Sequence, residues 1–190
     1  MKSVVLAAAM ALTAGAAFAA PEKYTLDASH SQVVFSYNHF GFSTTYNMFA
    51  GFEGEIMFDQ EDPANSSVNV AMPVMSLFTG WEARFKDFMS DNFFDASEDD
   101  MITFSSTGIE VTGDNTAVIT GDLTINGITR SVALDAKLNQ VALHPMFGKT
   151  WAGFDATTMI RRSDFGLGKY VPAVGDELNV MISIEAAKAE

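Results

Sequence analysis

The residues able to do acid–base or metal chemistry are few and poorly spaced. The chain has three histidines, His30, His39 and His144, and no cysteine. His30 and His39 lie nine positions apart, so on one strand they face opposite sides unless a bulge intervenes. No phosphate-binding glycine loop, Gly-x-Ser-x-Gly elbow or His-Glu-x-x-His pair is present. The sequence therefore predicts no catalytic residue, no metal site and no cofactor.

An enzyme acting on a lipid remains an alternative, with His39, Tyr37 or Asp164 as its acid–base groups. A general base needs a neighbouring group that orients it, and the sequence shows no such pair. The acidic runs at 59–62 and 98–100 lack the ligand spacing of a calcium loop, so they are interpreted as solvated turns.

The unusual feature is the content of phenylalanine and methionine, 16 and 11 residues. A packed core explains any one of them, but together they are typical of an adaptable wall around a flexible hydrocarbon. Burial of ten methylenes contributes about 8 kcal/mol, so such a ligand needs no polar anchor. The candidate ligand-binding residues are Phe35, Tyr37, His39, Phe42, Phe49, Phe52, Met75, Trp81, Phe85, Phe88, Met89, Phe94, Phe104, Trp151, Phe154 and Arg162.

Three of the candidate positions, and Arg84 beside them, allow a structural role as well. Arg162 could meet a headgroup, but a turn over 161–164 fixed by an Arg–Asp contact is favoured. Trp81 and Trp151 could line a pocket or cap the core. Arg84 could hold the helix to the barrel or contact the ligand.

Apolar residues alternate with period two along most of the chain, which is typical of strands. Val33, Phe35 and Tyr37 share one face of 32–40, and a second strand is predicted over 49–58. Asn126-Gly127 lies between alternating segments and predicts a tight hairpin. A turn is expected at 113–115, and the last strand follows 175–176. About eight strands are predicted, at the spacing of an all-β barrel or sandwich.

One segment changes period. Trp81, Phe85, Phe88 and Met89 recur at helical spacing. A short helix is therefore expected over about 79–90, laid across the barrel.

The first 20 residues are typical of a secretory signal peptide. Lys2 precedes an apolar stretch over 4–16, and Ala17-Phe18-Ala19 is a small-x-small cleavage signal. The stretch is shorter than the about 20 residues that cross a bilayer. We expect cleavage after Ala19 or Ala20, an exported protein, and one domain over 21–190.

The net charge of −13 indicates which partners are disfavoured. Such a surface repels nucleic acid and anionic lipid, and it keeps an apolar chain soluble. Neither nucleic-acid binding nor stable membrane insertion is expected.

Ordered motifs along residues 22–187 resemble the YceI family of periplasmic, lipocalin-like proteins. They are Tyr24-Thr25-Leu26-Asp27 with His30-Ser31 and Phe35, Gly51-Phe52 with Gly54, Arg84 with Ser90 and Phe93-Phe94-Asp95, the stretches 102–107, 121–125 and 127–129, and Arg162-Ser163-Asp164-Phe165-Gly166.

The resemblance implies an extended antiparallel barrel whose pocket binds polyisoprenoids, isoprenoid quinones or fatty-acid-derived amides. It also implies a homodimer without a metal or catalytic centre. The sequence departs from the family at Phe85 and Asp87, where Asp and His are usual, and at Asn126, where His is frequent. Phe85 makes the helix more apolar, which favours a hydrocarbon-dominated pocket.

The sequence therefore predicts a periplasmic protein that sequesters a long apolar molecule for transport, storage or stress protection. The alternative from another class is a structural or interaction protein with a closed core. An internal cavity would distinguish the two.

Overall fold

The computed structural model describes residues 20–190, so the predicted signal peptide lies outside the described residues except for Ala20. The described residues form ten strands and one α-helix, α1, over Glu82–Met89. The strands are β1 (Glu22–Leu26), β2 (Gln32–His39), β3 (Ser43–Phe49), β4 (Glu53–Phe58), β5 (Ser67–Pro73), β6 (Met101–Gly113), β7 (Thr116–Ile125), β8 (Ile128–Leu143), β9 (Thr150–Arg161) and β10 (Glu177–Lys188).

Eight of the strands close into an antiparallel barrel, which confirms the predicted all-β, lipocalin-like class. The ring runs β1-β4-β5-β6-β7-β8-β9-β10, and β1 pairs with β10 to close it. β10 pairs along one edge with both β1 and β2, with β1 through residues 186–188 and with β2 through residues 179–183. β3 in turn pairs with β2. β1 and β2 therefore act as one long strand that is interrupted between Leu26 and Gln32.

The segment 49–58 is not one strand, as the alternation had suggested, but the end of β3 and the whole of β4. Gly51 has a positive φ of 70°, which turns the chain between the two strands. Phe52, Ile56 and Phe58 nevertheless face the interior and are buried. The alternation was correct for these side chains, but it gave no sign of the turn.

The predicted hairpin at Asn126-Gly127 is confirmed. Ile125 pairs with Ile128, and the two turn residues have φ values of 53° and 70°. The turn expected at 113–115 is also present and joins β6 to β7. A bulge near Thr107 shifts the register of β6. Before the bulge the even-numbered Phe104 faces inward, whereas after it the odd-numbered Ile109 and Val111 do.

The turns divide into two ends of the barrel. The helix end carries the turn 40–42, the segment 74–100 with α1, the turn 126–127 and the loop 162–176. The termini end carries the loops 59–66, 113–115 and 144–149 and both ends of the described residues, where Lys188 Nζ lies 2.6 Å from Glu22 Oε1.

The helix lies within the segment predicted for it, and it covers a gap in the strand pairing. The free edge of β3 bonds to Phe78 of the segment 74–100, through Met48, rather than to another strand. Phe85, Phe88 and Met89 pack against the core, although no residue of α1 is fully buried.

Gly54 provides a test of how closely β4 and β5 approach. Its φ is +132°, and a Cβ there would lie 2.2 Å from the carbonyl oxygen of Asn69. We expect Gly54→Ala to lower the free energy of unfolding by about 2–4 kcal/mol through strain and overpacking. Urea unfolding measures the change.

Gly153→Ala is the matched control, because a Cβ there meets nothing within 4 Å. It should change stability by no more than about 0.5–1 kcal/mol. Equal midpoints for the two variants would contradict the close approach of β4 to β5.

Candidate functional site

The barrel encloses a cavity of about 730 Å³. It extends from Phe40, Trp81 and Tyr170 at the helix end to Asn115 and Thr116 at the termini end. A volume of this size lies within the range of about 300–1,000 Å³ that is usual for small-molecule sites. The cavity follows the barrel axis, so its shape suits a long, narrow molecule.

The wall is built by alternation along each strand. β7 contributes Ala117, Ile119 and Leu123, and β9 contributes Phe154 and Ala156. Every second side chain of a barrel strand points inward, so these strands place a row of apolar groups along the axis.

Gly121 occupies an inward position of β7 and determines where a ring can lie. A Cβ at Gly121 would lie 2.4 Å from the ring of Phe104. The missing side chain therefore leaves the space in which the Phe104 ring packs against the wall.

Eleven of the predicted ligand-binding residues line this cavity. They are Phe35, Tyr37, His39, Phe49, Phe52, Trp81, Phe88, Phe94, Phe104, Phe154 and Arg162.

Five predicted residues lie outside the cavity wall, for identifiable reasons. Phe42 is at the tip of the β2–β3 turn and is 91% exposed. Met75 is exposed in a 3-10 turn. On α1, Arg84 and Phe88 lie on the face that lines the cavity. Phe85 and Met89 lie four residues apart on the neighbouring face, which does not line it.

Trp151 is the fifth. It occupies an outward position of β9, because it is odd-numbered whereas the inward residues of that strand are even-numbered. Its ring stacks on Phe147, with centroids 5.6 Å apart, and lies 4.6 Å from His144. It therefore packs in a cluster outside the barrel interior.

The aliphatic part of the wall was missed. Ile109, Ile119, Leu123, Val180 and Ile182 line the cavity. Their strands show the period-two alternation that reveals an inward face, but that signal does not distinguish a filled core from a cavity wall.

Arg162 has a structural role in addition to lining the cavity. Its guanidinium donates to the carbonyl oxygens of Gly175 at 2.9 Å, Lys169 at 2.8 Å and Val174 at 2.8 Å, and also to that of Leu167. Burial lowers its pKa, while the nearby Asp176 carboxylate opposes that shift.

The expected Arg–Asp contact at the 161–164 turn is therefore replaced. Arg162 bonds to carbonyls, and Asp176 accepts hydrogen bonds from the backbone N–H of Ser163 at 2.9 Å and its hydroxyl at 2.7 Å. The arginine fixes the loop 162–176 over the helix end of the cavity.

Arg84 combines the two roles that the sequence left open. Its Nη1 donates to the carbonyl oxygen of Thr79 at 2.9 Å, which holds α1 to the chain before it. Arg84 and Asp87 also line the cavity.

A histidine–carboxylate pair is present, but it faces the outer surface. His30 Nδ1 lies 2.5 Å from Asp27 Oδ2, and this hydrogen bond raises the pKa of His30. Glu185 lies beside this pair. One nitrogen or carboxylate oxygen from each of Asp27, His30 and Glu185 lies within 4.8 Å of the other two. None of the three lines the cavity, so they offer no acid–base pair to a ligand inside it.

The closed antiparallel barrel and its apolar axial cavity define a lipocalin-like class of protein. A family model described as a YceI-like domain matches residues 24–186. The chain therefore belongs to the YceI family.

The similar proteins agree with this assignment. Protein YceI of Escherichia coli is 35% identical over 181 residues, covering 95% of this chain and 94% of its own. The crystal structure of Burkholderia cenocepacia BcnA superposes with a TM-score of 0.75 at 25% identity, covering 84% and 98% of the two chains. A polyisoprenoid binding domain from Saccharophagus degradans, implicated in plant cell wall breakdown, shares the fold, with a TM-score of 0.68 at 12% identity and coverage of 87% and 98%.

Over residues 20–190, α1 is too short to cross a bilayer, and no other helix meets the length and hydropathy that spanning requires.

Proposed function

We propose that the protein binds one long apolar molecule in the barrel, for transport, storage or stress protection. The observation that carries this proposal is the axial cavity of about 730 Å³ with a predominantly apolar wall. A closed-core structural protein would fill this volume with side chains, so the cavity favours a carrier.

The ligand class we propose is a polyisoprenoid, an isoprenoid quinone or a fatty-acid-derived amide. The Saccharophagus domain that shares the fold is described as polyisoprenoid-binding, which supports an apolar chain as ligand. Each methylene removed from water contributes about 0.8 kcal/mol, so a chain of ten carbons offsets most of the ordering cost of binding.

We propose binding without catalysis. Of the groups that an enzyme could have used, Asp164 is exposed and lies outside the axial cavity. Tyr37 and His39 line it, but within residues 20–190 neither has a hydrogen-bonded carboxylate to orient it. A general base without an orienting group is a poor catalyst.

A tryptophan at Ala156 tests the cavity. Ala156 lies on β9 with its side chain inward. If an indole at this position displaces three methylenes, binding should weaken by about 2.4 kcal/mol, or roughly 50-fold. Organic extraction and native mass spectrometry of the purified protein should recover a long-chain lipid from the wild type and far less from Ala156→Trp.

Thr157→Trp is the matched control, because Thr157 is the next residue and faces outward. It should retain the lipid. Repeated recovery of ligand-free wild-type protein with an interior filled by side chains would refute the carrier function.

We also propose export to the periplasm with removal of the leader. When the full chain is expressed in a Gram-negative host, the periplasmic fraction should contain protein that begins at Ala20 or Pro21. N-terminal sequencing measures this. A cytoplasmic protein that retains Lys2 would contradict it.

We further propose a homodimer through the outer face of β10, β2 and β3. The strand registers align Met181 with Val34, Val34 with Met48, and Met48 with Phe78 in one outward row. Met181 is 47% and Phe78 64% exposed. An apolar row of this kind suits a two-fold interface, in which the same patch is contributed by both copies.

Light scattering after gel filtration tests the dimer. The wild type should have about twice the mass of the chain, and Met181→Asp should be monomeric because it buries a charge in the interface. Met146→Asp, at an exposed methionine of the termini end, should leave the mass unchanged. A monomeric wild type at micromolar concentration would disprove this proposal.

A further inference from the structure

Four large aromatic side chains project around the helix end of the cavity. They are Phe40 and Phe42 in the β2–β3 turn, Trp81 before α1, and Tyr170 in the loop that Arg162 fixes. Each is more than half exposed, and all but Phe42 also line the cavity. A side chain that is exposed and also lines a cavity lies at its opening. These four residues, which we call the aromatic rim, therefore carry the apolar wall of the cavity onto the outer surface.

Contacts between loops hold the aromatic rim in place. The backbone N–H of Phe40 donates to the carbonyl oxygen of Ala173 at 3.0 Å, which joins the β2–β3 turn to the loop that carries Tyr170. The Tyr170 ring packs against Phe93, with centroids 6.2 Å apart, and so joins that loop to the segment that follows α1. The rim is therefore one connected surface rather than a set of separate loop tips.

Two of the rim residues have a strained backbone. Phe40 and Tyr170 have φ values of 53° and 66°. Bulky side chains rarely adopt this left-handed conformation, because it brings Cβ close to the following carbonyl oxygen. Strain of this kind is retained mostly at functional sites, where the surrounding structure imposes it. The chain therefore gives up stability to hold these two rings at the opening.

The opposite end of the cavity has a different character. Asp114, Asn115 and Thr116 line it there, and all three carry polar side chains. The exposed Met146 and Phe147 belong to that end as well, but neither lines the cavity. Among residues 20–190, the helix end is therefore the one that combines an opening with exposed aromatic side chains.

Charge and composition indicate which kind of surface the rim fits. The segment 74–100 has seven acidic and two basic residues, and the turn 40–42 has no charged residue. Anionic lipid is repelled by such a surface. A zwitterionic bilayer has no net charge, and tryptophan and tyrosine are enriched at its interface, where one part of the ring is apolar and the other is hydrated. A protein partner would instead cover the opening through which a ligand must pass.

We propose that the aromatic rim docks reversibly on a zwitterionic phospholipid bilayer and places the cavity opening against the membrane. The apolar ligand then passes between bilayer and barrel without crossing water, where its apolar surface is costly to hydrate. This inference rests on the proposed function and adds the surface from which the ligand is taken or to which it is delivered.

The two tryptophans of the chain report on opposite ends of the barrel. Trp151→Phe leaves Trp81 at the helix end as the only reporter. Vesicles of phosphatidylcholine with brominated acyl chains should quench its fluorescence, and the protein should float with the vesicles in a density gradient. Trp81→Phe keeps an aromatic ring in the rim and leaves Trp151, whose fluorescence the same vesicles should not quench.

Three results of this experiment would overturn the proposal. Quenching of Trp151 rather than Trp81 would place the membrane contact at the termini end. Quenching of Trp81 without flotation of the protein would mean that lipid enters the cavity without docking. Absence of both quenching and flotation would mean that the rim does not bind a bilayer.

Phe42 separates docking from ligand binding, because it belongs to the rim but does not line the cavity. Phe42→Ser should weaken binding to phosphatidylcholine vesicles about 10- to 100-fold, the value of burying one phenylalanine side chain. The affinity for farnesol, a soluble isoprenoid probe, should not change in vesicle-free buffer. Isothermal titration calorimetry measures the farnesol affinity, and flotation at graded lipid concentrations measures the vesicle affinity.

Phe147→Ser is the matched control, because Phe147 is an exposed phenylalanine of the termini end that does not line the cavity. It should leave vesicle binding unchanged. Equal losses for the two variants would show that the contact is not specific to the rim. A Phe42→Ser variant of halved molecular mass would show that the rim is an interface between two copies of the chain, which would also overturn the docking.

Lipid charge provides a further readout. Replacing half of the phosphatidylcholine by phosphatidylglycerol should weaken binding, because the helix end is acidic. Tighter binding to the anionic vesicles would show attachment through basic residues and would overturn the zwitterionic assignment.

The outcomes distinguish this inference from the proposed function. If the protein floats with vesicles but neither copurifies with lipid nor binds farnesol, the carrier function fails. If lipid copurifies but the protein does not float, the carrier stands and the docking surface fails.

Discussion

The pairing of β1 with β10 is the constraint on which the rest of the structure depends. It joins Leu26 to Ala186 and closes the eight-stranded ring. In a closed ring, backbone hydrogen bonds hold the wall together without help from the interior. The barrel can therefore keep a cavity of about 730 Å³ that a layered sheet packing would have to fill.

The same closure explains why the helix end is the irregular one. β2 and β3 extend beyond the ring, and the outer edge of β3 meets Phe78 rather than a strand. The segment 74–100 and the loop that Arg162 fixes cover this part of the barrel. Regular strands can supply only alternating side chains, whereas α1 and the hairpin bring polar groups together. At the helix end, the polar groups that line the cavity therefore come largely from α1 and the hairpin, whereas at the termini end they come from the turn 113–115 and its surroundings.

Much of this fold could be predicted from local sequence, because hairpins and alternation are local properties. The turn at Asn126-Gly127 and the helix over 82–89 are examples. The turn at Gly51 and the bulge near Thr107 depend on tertiary pairing, so no local pattern indicates them. The partners of Arg162 are backbone carbonyls up to 13 residues away, and no residue type marks a carbonyl as an acceptor. The phenylalanine and methionine content indicated an apolar ligand, but the narrower class of isoprenoids and related lipids came from the family resemblance.

Affinity and orientation have separate physical origins in this barrel. Apolar burial is proportional to area and has no direction, so the wall alone would hold a chain either way round. Hydrogen bonds are directional, and the two ends of the cavity offer different partners for them, Tyr37, Arg84 and Asp87 at the helix end and Asp114, Asn115 and Thr116 at the termini end. Because these groups differ between the two ends, the barrel discriminates between the two ends of a ligand that carries one polar group, which a uniformly apolar barrel does not.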